Sequence, residues 1–282
     1  KRVVLPVDKV KLVENGVVPA TDTARVESPM IWNISGTYGQ GYVRKQDLMI
    51  MNILQNVAAN GWKRPVYFAI TIPPKSYLNL TDNFRLEGLA YRVVPIKFPK
   101  SRNGTTGDVD VDKMYHKLVN VFKYRGLDDP DKFLNTYIRR MMGNTRGNFI
   151  RLALASLEER DQLNRRIDSL NAAVASTAGI TPDEEEAVKL EVDSLRKRRA
   201  LLISRAVEGM DFVQEKVSDG QVYTDPQTLA QFARLYMELD AKEKAMPLLA
   251  LAEERATENL EYTLDQADRL TPVATTTFTP FK

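Results

Sequence analysis

A chain of 282 residues with 43% apolar side chains is long enough for about two domains, each with its own core. Its 40 basic and 37 acidic side chains leave a net charge of +3, which excludes a whole-molecule electrostatic pull toward nucleic acid or an anionic membrane. The absence of cysteine excludes disulfides, thiolate nucleophiles and Cys-type zinc sites, and the single histidine, His116, excludes a multi-histidine metal centre.

No apolar run approaches the roughly 20 residues that cross a bilayer, so no membrane span is expected in this stretch, and no signal peptide is visible. The chain opens Lys1-Arg2-Val3-Val4-Leu5-Pro6 without an initiator Met. That opening is expected of a piece cut from a longer protein, or of a processed form.

Residues 1–125 mix short β-rich runs with helices. The Gly-rich stretch Ser35–Tyr42 lacks the Gly-Lys-Ser/Thr ending of a phosphate-binding loop, so a flexible connection is expected there. Residues 46–59 place Leu48, Met51, Ile53, Leu54 and Val57 near helical spacing. Asp47 falls in the first turn, where a negative charge suits the helix dipole. Asn60-Gly61 is a helix stop, since both residues tolerate a left-handed backbone. Pro65–Ile72 reads as a buried strand that Pro73-Pro74 ends. Residues 76–90 read as a turn and a short helix. Tyr91–Lys97 reads as a second strand, with Pro95 marking an edge or an end. Residues 101–107 read as a polar loop. From Asp112 a helix is predicted, with Met114, Leu118, Val119 and Phe122 on one face and a stop at Gly126. This order predicts a small layered α/β unit.

Residues 126–270 carry helical periodicity throughout. An Ala/Leu-rich helix is expected at 148–163. Residues 162–208 are strongly charged, with Leu163, Ile167, Leu170, Val174, Val188, Val192, Leu195 and Leu202 at heptad-like positions. Thr181-Pro182-Asp183-Glu184 supplies a capping box with Pro at the first helical position. A long antiparallel helical hairpin is therefore expected at 162–208, broken near Ser176–Gly179. Residues 227–254 place Phe232, Ala233, Tyr236 and Leu239, then Ala245, Leu249 and Ala252, at the spacing of one tetratricopeptide unit. Residues 271–282 read as a tail. The predicted fold class is α+β: a small α/β domain at 1–125, then an all-helical, tetratricopeptide-like region at 126–270 with the 162–208 hairpin inserted.

The functional signals are few. Asp112 and His116 stand four residues apart on a helix, but one histidine makes a surface position the simpler reading. Arg196-Lys197-Arg198-Arg199 follows the acidic run 183–186 on one helix, which favours a solvated face over nucleic-acid binding. Asp108, Asp110 and Asp112 alternate as in part of a calcium loop, without its central Gly and distal Glu. No catalytic residue, metal ligand or cofactor is assigned to this stretch. The densest polar set is Lys45, Asp47, Trp62, Lys63, Arg64, Glu87 and Arg92, gathered around one helix and both strands. It suits either a ligand site or a structural wrapping of the strand entry "NGWKRPVYFAI". On the second reading Trp62 caps the core, and Lys63 and Arg64 reach outward or pair with Asp47 or Glu87.

Several linked segments share one order: "VRKQDLMIMNIL", "NGWKRPVYFAIT", "NFRLEGLAYRVVPIK", "DVDVDKMYHKLVNVFKYRGLDDP" and "RMMGNTRGNFIRLALASLEE". Together they resemble the C-terminal soluble region of a Bacteroidota family of multi-span membrane proteins, once a domain of unknown function and now grouped with protein O-mannosyltransferase-like GT-C glycosyltransferases. The resemblance covers roughly residues 40–160 well and 225–255 loosely; the charged hairpin departs from it. It implies a parent whose membrane bundle carries the catalytic carboxylate and uses a lipid-phosphate-linked sugar. This chain is then expected to be its non-catalytic periplasmic portion, at the inner membrane. Its expected partners are the parent's own membrane-embedded N-terminal region and an acceptor protein. The alternative is a tetratricopeptide-like interaction module of an envelope protein with no enzymatic role.

Overall fold

The computed structural model describes residues 1–36, 41–99, 106–127, 129, 131–176 and 181–270. The core of the Gly-rich stretch, most of the 101–107 loop, the hairpin break and the 271–282 tail thus lie outside the described residues. The fold is α+β, with a small sheet-bearing unit followed by a mostly helical one. The chain divides into two compact units, Lys1–Phe122 and Lys123–Lys282.

In the first unit, β1 (Arg2–Leu5) pairs antiparallel with β2 (Met30–Asn33). Val3 and Leu5 are buried while Val4 faces out, the period of two expected of a half-buried strand. Asp8 caps α1 (Lys9–Glu14) by accepting from the Val10 and Lys11 N–H groups at 3.0 and 3.3 Å. Next come α2 (Lys45–Ala59) and a second sheet formed by β3 (Tyr67–Ala69), β4 (Phe84–Leu86), β5 (Ala90–Val93) and β6 (Asp108–Val109). The order is β3-β5-β4-β6, antiparallel except for the β4–β6 pair. One face of this sheet is aromatic. Phe68, Tyr77 and Tyr91 each stand within 5.2 Å of Phe84, ring centre to ring centre, in the tilted and edge-on arrangements that suit ring quadrupoles except for the stacked Phe84–Tyr91 pair.

Four expectations for this unit are corrected. The strand predicted as buried at 65–72 is the short edge strand β3; Tyr67 is 42% exposed and only Phe68 of its residues is buried. Pro65 lacks a donor, and an edge is where that is tolerated. Residues 76–90 contain β4 rather than a helix, with 3₁₀ turns at Pro74–Ser76 and Thr81–Asn83. On α2, Leu54, Val57 and Ala58 are buried, but Leu48, Met49 and Ile53 are 53, 67 and 51% exposed. Apolar residues occur on more than one face of this helix, so spacing alone does not choose the stripe that packs. The predicted third helix begins as α3 (Val111–Tyr115) and widens into a π-turn over His116–Val121, ending at Phe122 before it reaches Gly126.

In the second unit, α4 (Thr136–Ser176) and α5 (Pro182–Lys216) pack as a hairpin. The expected 148–163 helix and the 162–208 hairpin are stretches of these two continuous helices. Ile167, Leu170 and Val192 form the far seam, with Val188 and Leu195 against them. Thr181 and Glu184 close the capping box, the Thr181 N–H donating to the Glu184 carboxylate at 2.9 Å and the Glu184 N–H to Thr181 Oγ1 at 3.4 Å. The basic run is spent between the helices: Arg198 donates to Glu159 at 2.8 Å and Arg199 to Asn164 at 3.0 Å. Then α6 (Pro226–Glu238) and α7 (Lys242–Leu270) pair through Phe232, Ala233, Tyr236, Ala245 and Ala252, all buried.

The loop from α5 to α6 is held by two arginines. Arg146, buried on α4, donates to the Val217 and Val222 carbonyls, both at 2.7 Å. Asp219 accepts from Arg255 on α7 at 2.9 Å and from the Thr224 N–H at 2.9 Å. The Arg255 hydrogen bond, with those of Thr224, holds the Asp219 carboxyl down at about 2. A depressed folded-state pKa stabilises above the unfolded value of about 3.9 and loses that stabilisation as pH falls toward 2. Helical-signal denaturation between those limits is expected to show wild type losing stability on acidification. Asp219→Asn is expected to flatten that part of the profile by a modest amount, since the side chain is 38% exposed. An identical acid slope in both proteins would remove Asp219 from this role.

Candidate functional site

The predicted polar set separates into three places. The first is the start of α2. The Asp47 carboxylate is buried and accepts from the Arg44 N–H at 3.2 Å, closing the helix N-terminus. Lys45 opens α2 and is exposed. Asp47 is thus a capping residue, which matches the sequence reading of an acid in the first turn.

The second place is the helix-to-strand crossing. The Trp62 N–H donates to the Val57 carbonyl at 2.8 Å and the Gly61 N–H to that of Ala58 at 3.1 Å. This is the Schellman closure, which characteristically brings a hydrophobic residue after the stop back against the last helical turn. Gly61 takes φ +67° and Trp62 itself φ +59°. The Asn15 side chain donates to the Gly61 carbonyl at 2.8 Å, which ties α1 to the same corner. Trp62 is 2% exposed and its indole N–H is buried without an acceptor. Lys63 and Arg64 follow on the outside, both exposed. The sequence reading that paired them with Asp47 or Glu87 is corrected in favour of its outward alternative, because those two carboxylates are engaged elsewhere.

The third place is the polar face of the second sheet, where Glu87 and Arg92 do come together. Tyr67, Arg92, Arg85 and Asp108 stand in register across β3, β5, β4 and β6. Glu87 follows β4 in a tight hairpin, its N–H donating to the Ala90 carbonyl at 3.0 Å while Gly88 takes φ +83°. Its carboxylate is 2% exposed. Oε2 accepts from the Tyr67 hydroxyl at 2.7 Å and Lys117 at 3.3 Å; Oε1 lies 3.1 Å from Lys113 and 3.5 Å from Arg92. Burial pushes the Glu87 pKa up, but the Tyr67 hydrogen bond and then Lys113 and Arg92 outweigh it and hold the carboxyl below its ordinary value. Burial, and then Glu87, push the Tyr67 hydroxyl up to about 12. At neutral pH this is an ionised acceptor ringed by donors, the chemistry of a joint that locks a sheet edge to a helix.

The sequence reading missed Tyr67, Lys113 and Lys117 as partners of Glu87. Lys113 and Lys117 are four residues apart and so share a helix face, a signal that was present in the sequence. The alternating acids separate: Asp108 pairs with Arg85 at 3.2 Å, while Asp110 caps α3 by accepting from the Lys113 N–H at 3.0 Å. Asp112 and His116 are exposed.

Beside the crossing lies an open groove. A hollow of about 620 Å³ is lined by Asn56, Asn60, Lys63, Arg64 and Pro65. A second, of about 350 Å³, is lined by Gln46, Ile50, Tyr67, Phe68 and Ile72. Ile53 and Val66 line both, so the two hollows adjoin between α2 and β3.

Residues 1–113 match the family model described as TMEM260-associated domain 2. No curated protein and no solved structure matches the chain.

Proposed function

We propose that this chain is a non-catalytic accessory region of a membrane-embedded glycosyltransferase of the protein O-mannosyltransferase-like GT-C class. It stands on the periplasmic face of the inner membrane, packs on the membrane bundle of its own parent chain, and helps present the acceptor protein. The observation that carries the reading is the similarity of residues 1–113 to a TMEM260-associated domain. The linked segments across residues 40–160 that resemble the Bacteroidota membrane family point the same way. The chemistry of the Glu87 cluster supports it too, since a carboxylate below its ordinary pKa and surrounded by donors suits a structural joint better than a general base.

The test uses the natural parent. Membranes bearing the full protein, and membranes bearing a form lacking this chain, are assayed for sugar transfer from a lipid-phosphate-linked donor to envelope proteins. Transfer is expected to fall by roughly tenfold or more without the chain, about 1.4 kcal/mol of transition-state stabilisation. The isolated chain is expected to turn over no donor. Turnover by the isolated chain, or a gene with no apolar runs of about 20 residues ahead of Lys1, would overturn the reading. The α6–α7 pair favours a second reading, an envelope interaction module, because α7 leaves Met246 60% and Leu249 39% exposed beside its buried face. Undiminished transfer after truncation would favour that module.

A further inference from the structure

We propose that the groove between α2 and β3 accepts an extended, acidic peptide segment of a partner protein, which adds to the open edge of β3 as a further strand. The inference rests on the groove and not on the proposed glycosyltransferase parent.

The first wall is an unused strand edge. The Val93 N–H donates to the Val66 carbonyl at 3.0 Å and the Ile70 N–H to the Leu89 carbonyl at 3.3 Å. With Phe68 opposite Tyr91, residues 66, 68 and 70 therefore turn their backbone groups to β5. Tyr67 and Ala69 turn theirs the other way, to the open edge. The Ala69 carbonyl is taken by the Ile72 N–H at 3.2 Å. The Tyr67 N–H, the Tyr67 carbonyl and the Ala69 N–H remain to pair with an incoming strand. An open edge of this kind is the template used in strand addition.

The second wall is formed on α2 by Gln46, Asp47, Ile50, Ile53, Asn56, Val57 and Asn60, of which Asp47 and Val57 are buried. It is apolar or uncharged except for Asp47 at its start. At 1.5 Å per residue it runs about 20 Å, the span of a strand of about six residues.

Charge selects the occupant. Lys63 and Arg64 stand at the end of the groove where β3 begins, both exposed, and neither is paired with a described residue. Asp47, the acid of α2, is buried in its own cap. The groove thus offers partly apolar walls, backbone groups along one side, two cations at one end and the capped acid Asp47 at the other. An extended segment with small apolar residues and acids at its carboxyl end, added antiparallel to β3, matches each of these.

The test is fluorescence anisotropy with the full chain and a labelled synthetic peptide of about seven residues, alternating Val and Thr and ending in two aspartates. Binding with a Kd on the order of 10–100 μM is expected. N-methylation of alternate peptide amides, and separately replacement of its aspartates by lysines, are each expected to weaken binding by roughly tenfold or more. The surface double variant Lys63→Glu/Arg64→Glu, whose folding Trp fluorescence checks, is expected to reverse the preference between the acidic and basic peptides. Slowed amide exchange at Tyr67 and Ala69 with the peptide bound would place it on the edge. No binding near ~1 mM, or binding indifferent to N-methylation, overturns the proposal. So does capture of the chain on vesicles with about a third anionic lipid that the peptide fails to displace, since the groove then serves a membrane surface. A concentration-dependent dimer abolished by the double variant and untouched by the peptide overturns it in favour of a second copy.

Discussion

Replacing Glu87 with Ala is expected to destabilise the first unit by about 3–5 kcal/mol, the range for breaking a buried ion pair by removing one partner. The carboxylate is 2% exposed and anchors two elements at once, since Tyr67 lies on β3 while Lys113 and Lys117 lie on and just beyond α3. Its loss falls unequally on the partners. Lys113 and Lys117, at 44 and 31% exposure, can swing into water. Arg92, at 11%, cannot, and its Nε is already buried without an acceptor. The stranded charge beside Arg85 carries most of the cost. The residue Gln retains the shape and an acceptor oxygen, so Glu87→Gln is expected to cost less than Ala. Both tryptophans, Trp32 and Trp62, belong to the first unit, so tryptophan fluorescence during urea denaturation reads this unit without the helical one. The pH dependence has a definite sign. The folded pKa of Glu87 is depressed, so its stabilisation is complete above the unfolded value of about 4.3 and disappears as pH falls through the folded value. Wild type is expected to lose stability on acidification below that point, and Glu87→Gln to lose correspondingly less. A loss below about 1 kcal/mol for Glu87→Ala would mean that the cluster is surface decoration.

The second large effect is expected at Trp62. Truncation to Ala is expected to cost about 3–5 kcal/mol, as for a large buried aromatic. The indole N–H adds no hydrogen bond, so the loss is packing and the cavity left behind, partly offset by removal of the buried unpaired donor. Trp62→Phe separates the two contributions, because it removes the unpaired donor while keeping most of the ring. It is expected to cost clearly less than Ala. Trp62 takes φ +59°, and Ala and Phe meet the same left-handed backbone there, so strain is expected to cancel between the variants. A cost under about 1 kcal/mol for Trp62→Ala would show that the corner is held by the Asn15–Gly61 bond and the Schellman closure alone.

Local chemistry was legible in the sequence wherever one short segment decides its own conformation. Asn60-Gly61 stops α2 because a left-handed residue closes that helix end. Thr181-Pro182-Asp183-Glu184 starts α5 because its side chains satisfy the orphan backbone donors within the same turn. The heptad positions Ile167, Leu170, Val192 and Leu195 meet because two adjacent helices of one hairpin bury a shared stripe. The basic run of α5 reads as a solvated face, and Arg198 and Arg199 depart from that by turning to α4.

What the sequence left open is what depends on neighbours distant along the chain. β4 was missed because Phe84–Leu86 is short and its pairing partners, β5 and β6, supply the pattern it lacks. β3 was read as buried because its apolar run looks the same whether the strand is central or at an edge. Leu48 and Ile53 share helical spacing with Leu54 and Val57 yet stay exposed, because α2 is apolar on more than one face and spacing does not choose which is covered. Among the polar set, Glu87 and Arg92 share a sheet face by strand register, whereas Lys63 and Arg64 precede β3 and stay exposed. The sequence by itself determined the cap at Thr181, the acid in the first turn of α2, the stop at Asn60-Gly61, the helical second half and the α+β class, because those are set within a few residues of the chain. The tertiary structure alone decided which apolar stripe is core, which strand is the edge and which cations find a carboxylate, because burial and charge pairing are fixed by segments that meet only when the chain folds.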